Sequence, residues 1–355
     1  MIRYLDMFAG IGGFRSGLER VGGFECVAYC ELDKYAKMSY EAMYDTEGEV
    51  YYDDARKIIP EQLPDIDLIT GGFPCQSFSR AGKRNGFNDA RGTLFFEIAH
   101  IAAVKKPKYL LLENVPGLLD HDGGRTFKTI LDTLAELGYD VSWSVLNGAD
   151  FGSAQQRKRV FIIGYHREKC RGRILPVPTV PQKSDSESSS MTVWHNGKKE
   201  KIQGDISELL KKYGVPIKVK TKSGYMPALP GDSIDLSYPN INSRRGRVGH
   251  GIAHTVTPSA NQGYYLMTSD DIQGAENINS VKIGGISYNG YIRRFTPLEC
   301  WRLQGFTDEQ FYKAKAAGVS DRQLYKQAGN AVTVNVIEAL GRFIKEINKE
   351  CDNNE

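Results

Sequence analysis

The sequence has no uninterrupted apolar run of the roughly 18 residues that a membrane-spanning helix needs. It has no Cys-x-x-Cys pair. Its six cysteines, Cys26, Cys30, Cys75, Cys170, Cys300 and Cys351, stand apart, and its six histidines are scattered. That spacing argues against a zinc site and against a disulfide framework, and it suits a reducing cytosol. Strong charge of either sign is also missing. Formal net charge is +3, which alone announces no polyanionic partner. No internal repeat is visible, and no leader-like stretch precedes the strand-like Ile2–Phe8.

What remains is ordinary globular material: 355 residues, 41% hydrophobic and 25% charged, enough for about two domains. The charge is unevenly spread. Between His166 and Tyr225, Lys and Arg outnumber Asp and Glu roughly two to one, a local bias that fits a polyanion.

Residues 1–165 alternate apolar runs with helical patterns. Strands are expected at Tyr4–Phe8, Cys26–Tyr29, Val50–Tyr52, Ile66–Ile69, Tyr109–Leu112, Val141–Leu146 and Val160–Ile163. Helical spacing marks Gly92–Lys105, Phe127–Leu137, a helix start at Pro297–Leu303 and an amphipathic helix over Val332–Ile344. This alternation predicts an α/β fold with a doubly wound parallel sheet. Beyond Gly164 the texture changes to a Pro-, Ser- and Gly-rich stretch with weak periodicity. It predicts a smaller, irregular β-rich unit at 169–309, inserted into a larger unit of 1–168 plus 310–355.

Residues 71–79, Gly-Gly-Phe-Pro-Cys-Gln-Ser-Phe-Ser, leave one of these strands. Such a loop lies at the carboxyl edge of the sheet, where α/β enzymes hold their ligands. It offers one thiol, Cys75, beside Pro74. Cysteine is the most nucleophilic side chain that is partly ionised near neutral pH. A lone Cys is more often a buried packing residue, but other constellations alter the balance here. In Asp6-Met7-Phe8-Ala9-Gly10-Ile11-Gly12-Gly13-Phe14, the third glycine of a dinucleotide fingerprint is replaced by Arg15. A Phe-x-Gly-x-Gly turn, with Phe8, Gly10 and Gly12, instead suits S-adenosylmethionine, whose amino-acid end needs backbone contact and carries no phosphate. Glu31 ends the second strand, where an acid can accept from both ribose hydroxyls. Asp54 follows the third and could bond an adenine amino group. Glu113 ends the strand Tyr109–Leu112, where poor solvation should raise its pKa and let it donate a proton. Gln155-Gln156-Arg157-Lys158-Arg159 precedes another strand and could meet phosphate or a base carbonyl, although a solvated charge run is the commoner role.

Together these residues resemble the DNA (cytosine-5) methyltransferase family over most of the chain. The matching blocks run in the family's order through the turn at 6–14, Glu31, Asp54, the Cys75 loop, Arg91-Gly92-Thr93-Leu94-Phe95, Glu113-Asn114-Val115, Gln156-Arg157-Lys158-Arg159-Val160, Arg294-Phe295-Thr296-Pro297-Leu298-Glu299-Cys300 and Gln327-Ala328-Gly329-Asn330-Ala331-Val332. The resemblance implies a Rossmann-like S-adenosylmethionine-dependent catalytic domain with a target-recognition domain in the unmatched region. It implies that Cys75 adds to C6 of cytosine, Glu113 holds N3 protonated, Arg159 bonds O2 and Arg157 positions Glu113 or its loop. It adds Pro74, Leu94, Asn330 and Ala331 to the cofactor set and assigns DNA contacts to Gln76, Ser79, Arg244, Arg245, Arg247 and Thr255. The family's usual Thr-Leu pair stands here as Thr255-Val256. The target base must leave the duplex for this chemistry.

The partners so implied are double-stranded DNA and, for a restriction-modification enzyme, a cognate endonuclease. A cytoplasmic monomer of bacterial or phage origin is expected. Alternatives are a tRNA cytosine-5 methyltransferase, a non-catalytic nucleic-acid-binding relative, which Cys75 and Glu113 argue against, and a nicotinamide-dependent oxidoreductase, which Arg15 argues against.

Overall fold

The computed structural model describes residues 1–74, 94–170, 190–195, 198–203, 215–218, 225–228, 232–235, 248–250, 252–259, 262–266, 276–283 and 286–352. Cys75, Gln76, Ser79, Arg244, Arg245 and Arg247 lie outside the described residues.

All seven expected strands form. They are β1 (Ile2–Met7), β2 (Phe24–Cys30), β3 (Val50–Tyr52), β4 (Leu68–Gly72), β5 (Tyr109–Asn114), β6 (Tyr139–Asn147) and β7 (Lys158–His166). They make one sheet in the order β3-β2-β1-β4-β5-β7-β6. β1 to β5 pair in parallel. β7 runs antiparallel to both β5 and β6, so the doubly wound sheet is mostly parallel with one antiparallel strand near this edge. The cause is the connection. Between Asn147 and Lys158 the chain makes only a short 3-10 turn, Gly148–Phe151, whereas a parallel return needs a crossover of a dozen or more residues.

The helices are α1 (Gly13–Val21), α2 (Lys34–Met43), α3 (Leu94–Lys105), α4 (Arg125–Glu136), the short α5 (Arg167–Cys170), α6 (Pro297–Gln304), α7 (Asp308–Ala316), α8 (Asp321–Asn330) and α9 (Val334–Asp352). β5 shows why they cover both sheet faces. Leu110 and Leu112 pack with Phe95, Ile98, Ile130 and Leu134 of α3 and α4. Tyr109 and Leu111, pointing the other way, pack with Leu18 of α1 and Ile337, Leu340 and Ile344 of α9. Each such burial contributes about 1.5–3 kcal/mol. The approach of α1 to α9 depends on glycine. A Cβ on Gly17 would lie 2.6 Å from Cβ of Ile337.

A third cluster joins Ile11 and Tyr40 to Cys300, Trp301, Phe311 and Leu324. It seats α2, α6, α7 and α8 together beside the glycine-rich turn. Residues 297–309 therefore share their core with the first unit. Between the two helical blocks lie short antiparallel strands. β8 (Ser190–His195) pairs with β9 (Lys198–Gln203), and β10 (Val215–Lys218) with β11 (Tyr225–Ala228). A five-stranded sheet follows from β12 (Ser233–Asp235), β13 (Val248–Gly249), β14 (Gln262–Leu266), β15 (Glu276–Ile283) and β16 (Ile286–Arg294).

Candidate active site

β1 runs into a tight turn at Phe8–Gly12. Its backbone is left-handed at Phe8 (φ 55°), Gly10 (φ 58°) and Gly12 (φ 75°). Gly12 starts α1, and a Cβ there would lie 2.4 Å from the Tyr44 ring. Gly10 differs, because nothing stands within 4 Å of the Cβ it lacks. Glu31, just beyond β2, braces the turn. Its carboxylate accepts from the Gly10 N–H and the Asp33 N–H, both at 2.7 Å. Burial raises the Glu31 pKa, and those two N–H groups oppose the rise.

Glu113 lies at the end of β5, beside Gly72 of β4. Its Oε1 is 2.9 Å from Arg159 Nε, with 14% of the carboxylate side chain and 16% of the guanidinium side chain exposed. Burial raises the Glu113 pKa; Arg159 and then Arg157 pull against it. The raised direction keeps the acid form accessible nearer neutral pH than for a solvated glutamate. The next residue, Asn114, donates to the Phe73 carbonyl at 2.8 Å and accepts from Val115 N–H at 2.9 Å. It pins the backbone that enters the Cys75 loop.

Arg157 is 2% exposed. It donates to the carbonyls of Val256 (3.1 Å), Gly329 (3.0 Å) and Ala331 (2.7 Å). Burial, aided by Arg159, pushes its pKa down to about 9, so it stays cationic at neutral pH. Gln155, fully buried, donates to the Leu303 carbonyl at 2.7 Å and accepts from Val256 N–H at 3.1 Å. A Cβ on Gly329 would lie 2.2 Å from Pro258 N. These contacts stitch residues 252–259 to the start of β7 and the end of α8. Sequence reasoning assigned no role to Gln155, Asn114 or Gly329, although each sits inside a block it quoted.

These elements converge on one cavity of about 470 Å³, within the size range of small-ligand sites. Phe8, Gly10 and Glu31 line it from the glycine-rich turn, and Asn330 and Ala331 from the end of α8. Pro74, Glu113, Arg157 and Arg159 line it from the strand ends. Asp33 and Lys326 also line it, ion-paired at 2.5 Å. Three cofactor candidates are not in its wall. Gly12 acts through the turn. Asp54 is bonded to Arg56 at 2.6 and 2.9 Å, which holds its carboxyl down at about 2. Leu94 packs against the core below α3. Thr255 stands elsewhere, its hydroxyl donating to the Gln156 carbonyl at 2.5 Å. A second cavity, also about 470 Å³, is lined by Gln156 and Lys158, by Asp235 and Gln262 of the five-stranded sheet, and by His254, Thr255 and Thr257.

Comparison with known proteins adds to this geometry. The C-5 cytosine-specific DNA methylase family matches residues 2–346. The Type II methyltransferase M.HpaII of Haemophilus parainfluenzae is 35% identical over 97% of this chain and 89% of its own. The Type II methyltransferase M.SsoII of Shigella sonnei is 35% identical over 96% of this chain and 79% of its own. Among solved structures, the S. pombe Dnmt2 methyltransferase superposes with a TM-score of 0.58 over 98% of this chain and 100% of its own, at 18% identity. That likeness speaks to the fold alone.

Proposed function

The chain belongs to the C-5 cytosine-specific DNA methylase family, and from that premise we propose that it is a sequence-specific DNA (cytosine-5) methyltransferase of the restriction-modification type, using S-adenosylmethionine. One observation carries the reading. A single cavity joins a glycine-rich turn, a buried carboxyl–guanidinium pair and the pinned entrance to a Cys loop.

The residues fit the cofactor. The space above Gly10 would be filled by any Cβ, and Glu31 presents an acceptor into the same cavity. Phe8, Gly10, Glu31, Pro74, Asn330 and Ala331 would hold S-adenosylmethionine, which supplies an electrophilic methyl group when bound. Gly12 would serve by shaping the turn.

C5 of cytosine is a poor nucleophile until C6 is saturated. The Cys75 thiolate forms the S–C6 bond, and the C5=C6 electron pair becomes available at C5. Glu113 holds the proton at N3 that makes C6 electrophilic, and Arg159 orients Glu113 and bonds O2. After methylation, loss of the C5 proton with elimination of Cys75 restores the ring. Arg157 positions this set by tying the β7 start to 256 and to 329–331. The base reaches the cavity by flipping out of the duplex, at a cost of a few kcal/mol. The recognition unit is best drawn from about 171 to 294, since α6 shares the catalytic core.

Bisulfite sequencing of unmethylated plasmid, incubated with the protein and S-adenosylmethionine, tests this. Protection of cytosine within one recurrent sequence is expected. No protection on DNA, with methylation of tRNA instead, would move the assignment to the RNA alternative.

A further inference from the structure

The glycine-rich turn that lines the first cavity is braced by two residues of opposite chemistry. One is Glu31, whose carboxylate takes the Gly10 N–H at 2.7 Å. The other is Tyr44, which directly follows α2 and is 7% exposed. Its hydroxyl lies 2.8 Å from the Gly12 carbonyl and 3.3 Å from the Ile11 carbonyl. A carbonyl can only accept, so the tyrosine proton points at the turn. Burial raises the Tyr44 pKa, so that proton stays in place across the ordinary pH range.

The Tyr44 oxygen then needs a donor, and the fold supplies one with a fixed direction. Ser16 Oγ on α1 is 2.5 Å away. Ser16 Oγ in turn receives Nε2 of Gln310 at 2.8 Å. The Gln310 amide cannot be turned round, because its Oε1 accepts from the Thr307 N–H at 3.0 Å in the capping box of α7. The protons therefore run one way, from Gln310 to Ser16 to Tyr44 to Gly12. Hydrogen bonds aligned in a chain polarise one another. The links come from α7, α1 and the end of α2, and the chain finishes on the backbone whose Gly10 and Ile11 line the cavity. The Tyr44 ring has a separate duty. It fills the space against Gly12, and the Arg15 guanidinium lies 4.7 Å from its centroid.

The turn needs such a hold. Phe8 keeps a left-handed backbone that a residue with a Cβ adopts only against steric resistance. Gly10 and Gly12 are left-handed too, and glycine leaves that conformation as readily as it enters it. We propose that Tyr44 is a positioning residue for the cofactor, its hydroxyl holding the Ile11 and Gly12 carbonyls so that the turn keeps the shape that admits S-adenosylmethionine. This rests on the methyltransferase reading above. Tyr44 is not part of the cavity wall, so it acts through the turn.

The test separates the hydroxyl from the ring. Tyr44→Phe keeps the ring and removes the hydroxyl. Ser16→Ala removes the donor behind it and suits a helix better than serine does. Calorimetry gives the affinity for S-adenosylhomocysteine, and steady-state methylation gives kcat and the KM for S-adenosylmethionine. Each variant should bind S-adenosylhomocysteine about threefold to tenfold more weakly, the scale of one neutral hydrogen bond. The KM should rise in step while kcat stays within about twofold, the mark of lost binding without lost chemistry. The double variant should bind no more weakly than Tyr44→Phe alone, because the two groups act in one chain. If Tyr44→Phe does not melt cooperatively, Ser16→Ala carries the same measurements with the same expected result.

Unchanged cofactor affinity in a folded variant overturns the proposal. So does a fall in kcat and affinity together that follows a lowered melting temperature, which would make Tyr44 a packing residue of the whole domain. Additive losses in the double variant overturn it as well, since Ser16 and Tyr44 would then act apart. A wild-type protein that binds no S-adenosylhomocysteine fails the underlying reading instead, a result distinguishable from all three.

Discussion

The two cavities are alike in volume and opposite in state. In the first, Glu31 is held by two N–H groups, Glu113 by Arg159 and Asn114 by Phe73 and Val115. In the second, Gln262 and His254 are among the lining residues, and Gln262 Oε1 and His254 Nε2 are buried without hydrogen-bond partners among the described residues. The first is arranged before any ligand arrives, as chemistry requires, since dipoles fixed in advance cost nothing to reorganise at the moment of reaction. The second leaves buried polar atoms unmatched, each at a cost of about 1–3 kcal/mol, so its wall is less completely arranged than the first.

The largest test of this contrast is at the chemistry. Cys75→Ser should abolish methyl transfer while leaving DNA and cofactor affinity intact. Wild type should form a denaturant-resistant adduct with DNA carrying 5-fluorocytosine, and adduct formation by the variant would refute the nucleophile. Next, Glu113→Gln should lower turnover by about 10²-fold or more. The pKa of Glu113 is raised by burial, so the acid form is lost as pH climbs through that raised value. Wild-type turnover should therefore carry a descending alkaline limb that the variant lacks.

A third test concerns rigidity beneath the turn. Asp6 is fully buried on β1, bonded to Thr70 Oγ1 at 2.8 Å, and burial pushes its pKa up to about 7. The native state keeps a proton that the unfolded chain releases near its ordinary value of 3.8. Its contribution to stability is full below that value and is lost as pH rises through about 7. Denaturant midpoints should fall as pH rises from 3.8 to about 7 and level off above it, and Asp6→Asn should flatten that slope. Gly329→Ala should cost about 1–3 kcal/mol by overpacking, since the new methyl meets Pro258 backbone. A melt unchanged by Gly329→Ala would mean that the seam between the two regions is loose. Smallest is Lys326→Ala. Its pair with Asp33 is partly exposed, at 47% and 30%, and such pairs contribute about 0–1 kcal/mol. Cofactor affinity by calorimetry should weaken no more than about fivefold.

Much of the first region was legible in the sequence because its information is local. The apolar runs of β1, β4 and β5 are buried on both faces, so period and composition reveal them directly. Phe8, Glu31 and Glu113 fall at strand ends for the same reason. What escaped is long-range. The acceptors of Arg157 lie 99, 172 and 174 residues away, and no local pattern distinguishes such a guanidinium from a solvated one. The direction of β7 escaped although its cause is local, since the ten-residue connection from β6 is too short for a parallel crossover. In the second region short strands with little periodicity gave class but no geometry. No periodicity tells that Gln262 Nε2 meets the Thr255 carbonyl.

The contact of Gly329 and Ala331 with Arg157, and of α9 with α1, also sets a schedule. The first cavity draws its wall from Phe8 and from Asn330, so a ribosome must deliver the chain through Asn330 before that wall closes. At about 5–20 residues per second the first turn waits on the order of 15–65 seconds for its partner. Contacts so distant in sequence also slow folding. Throughout that interval the hydrophobic face that α9 covers is open, and a nascent chain can neither bind cofactor nor mark DNA. Newly made enzyme thus gains activity only after Ala331 has been delivered, which places a lag between the start of translation and the first methylated site.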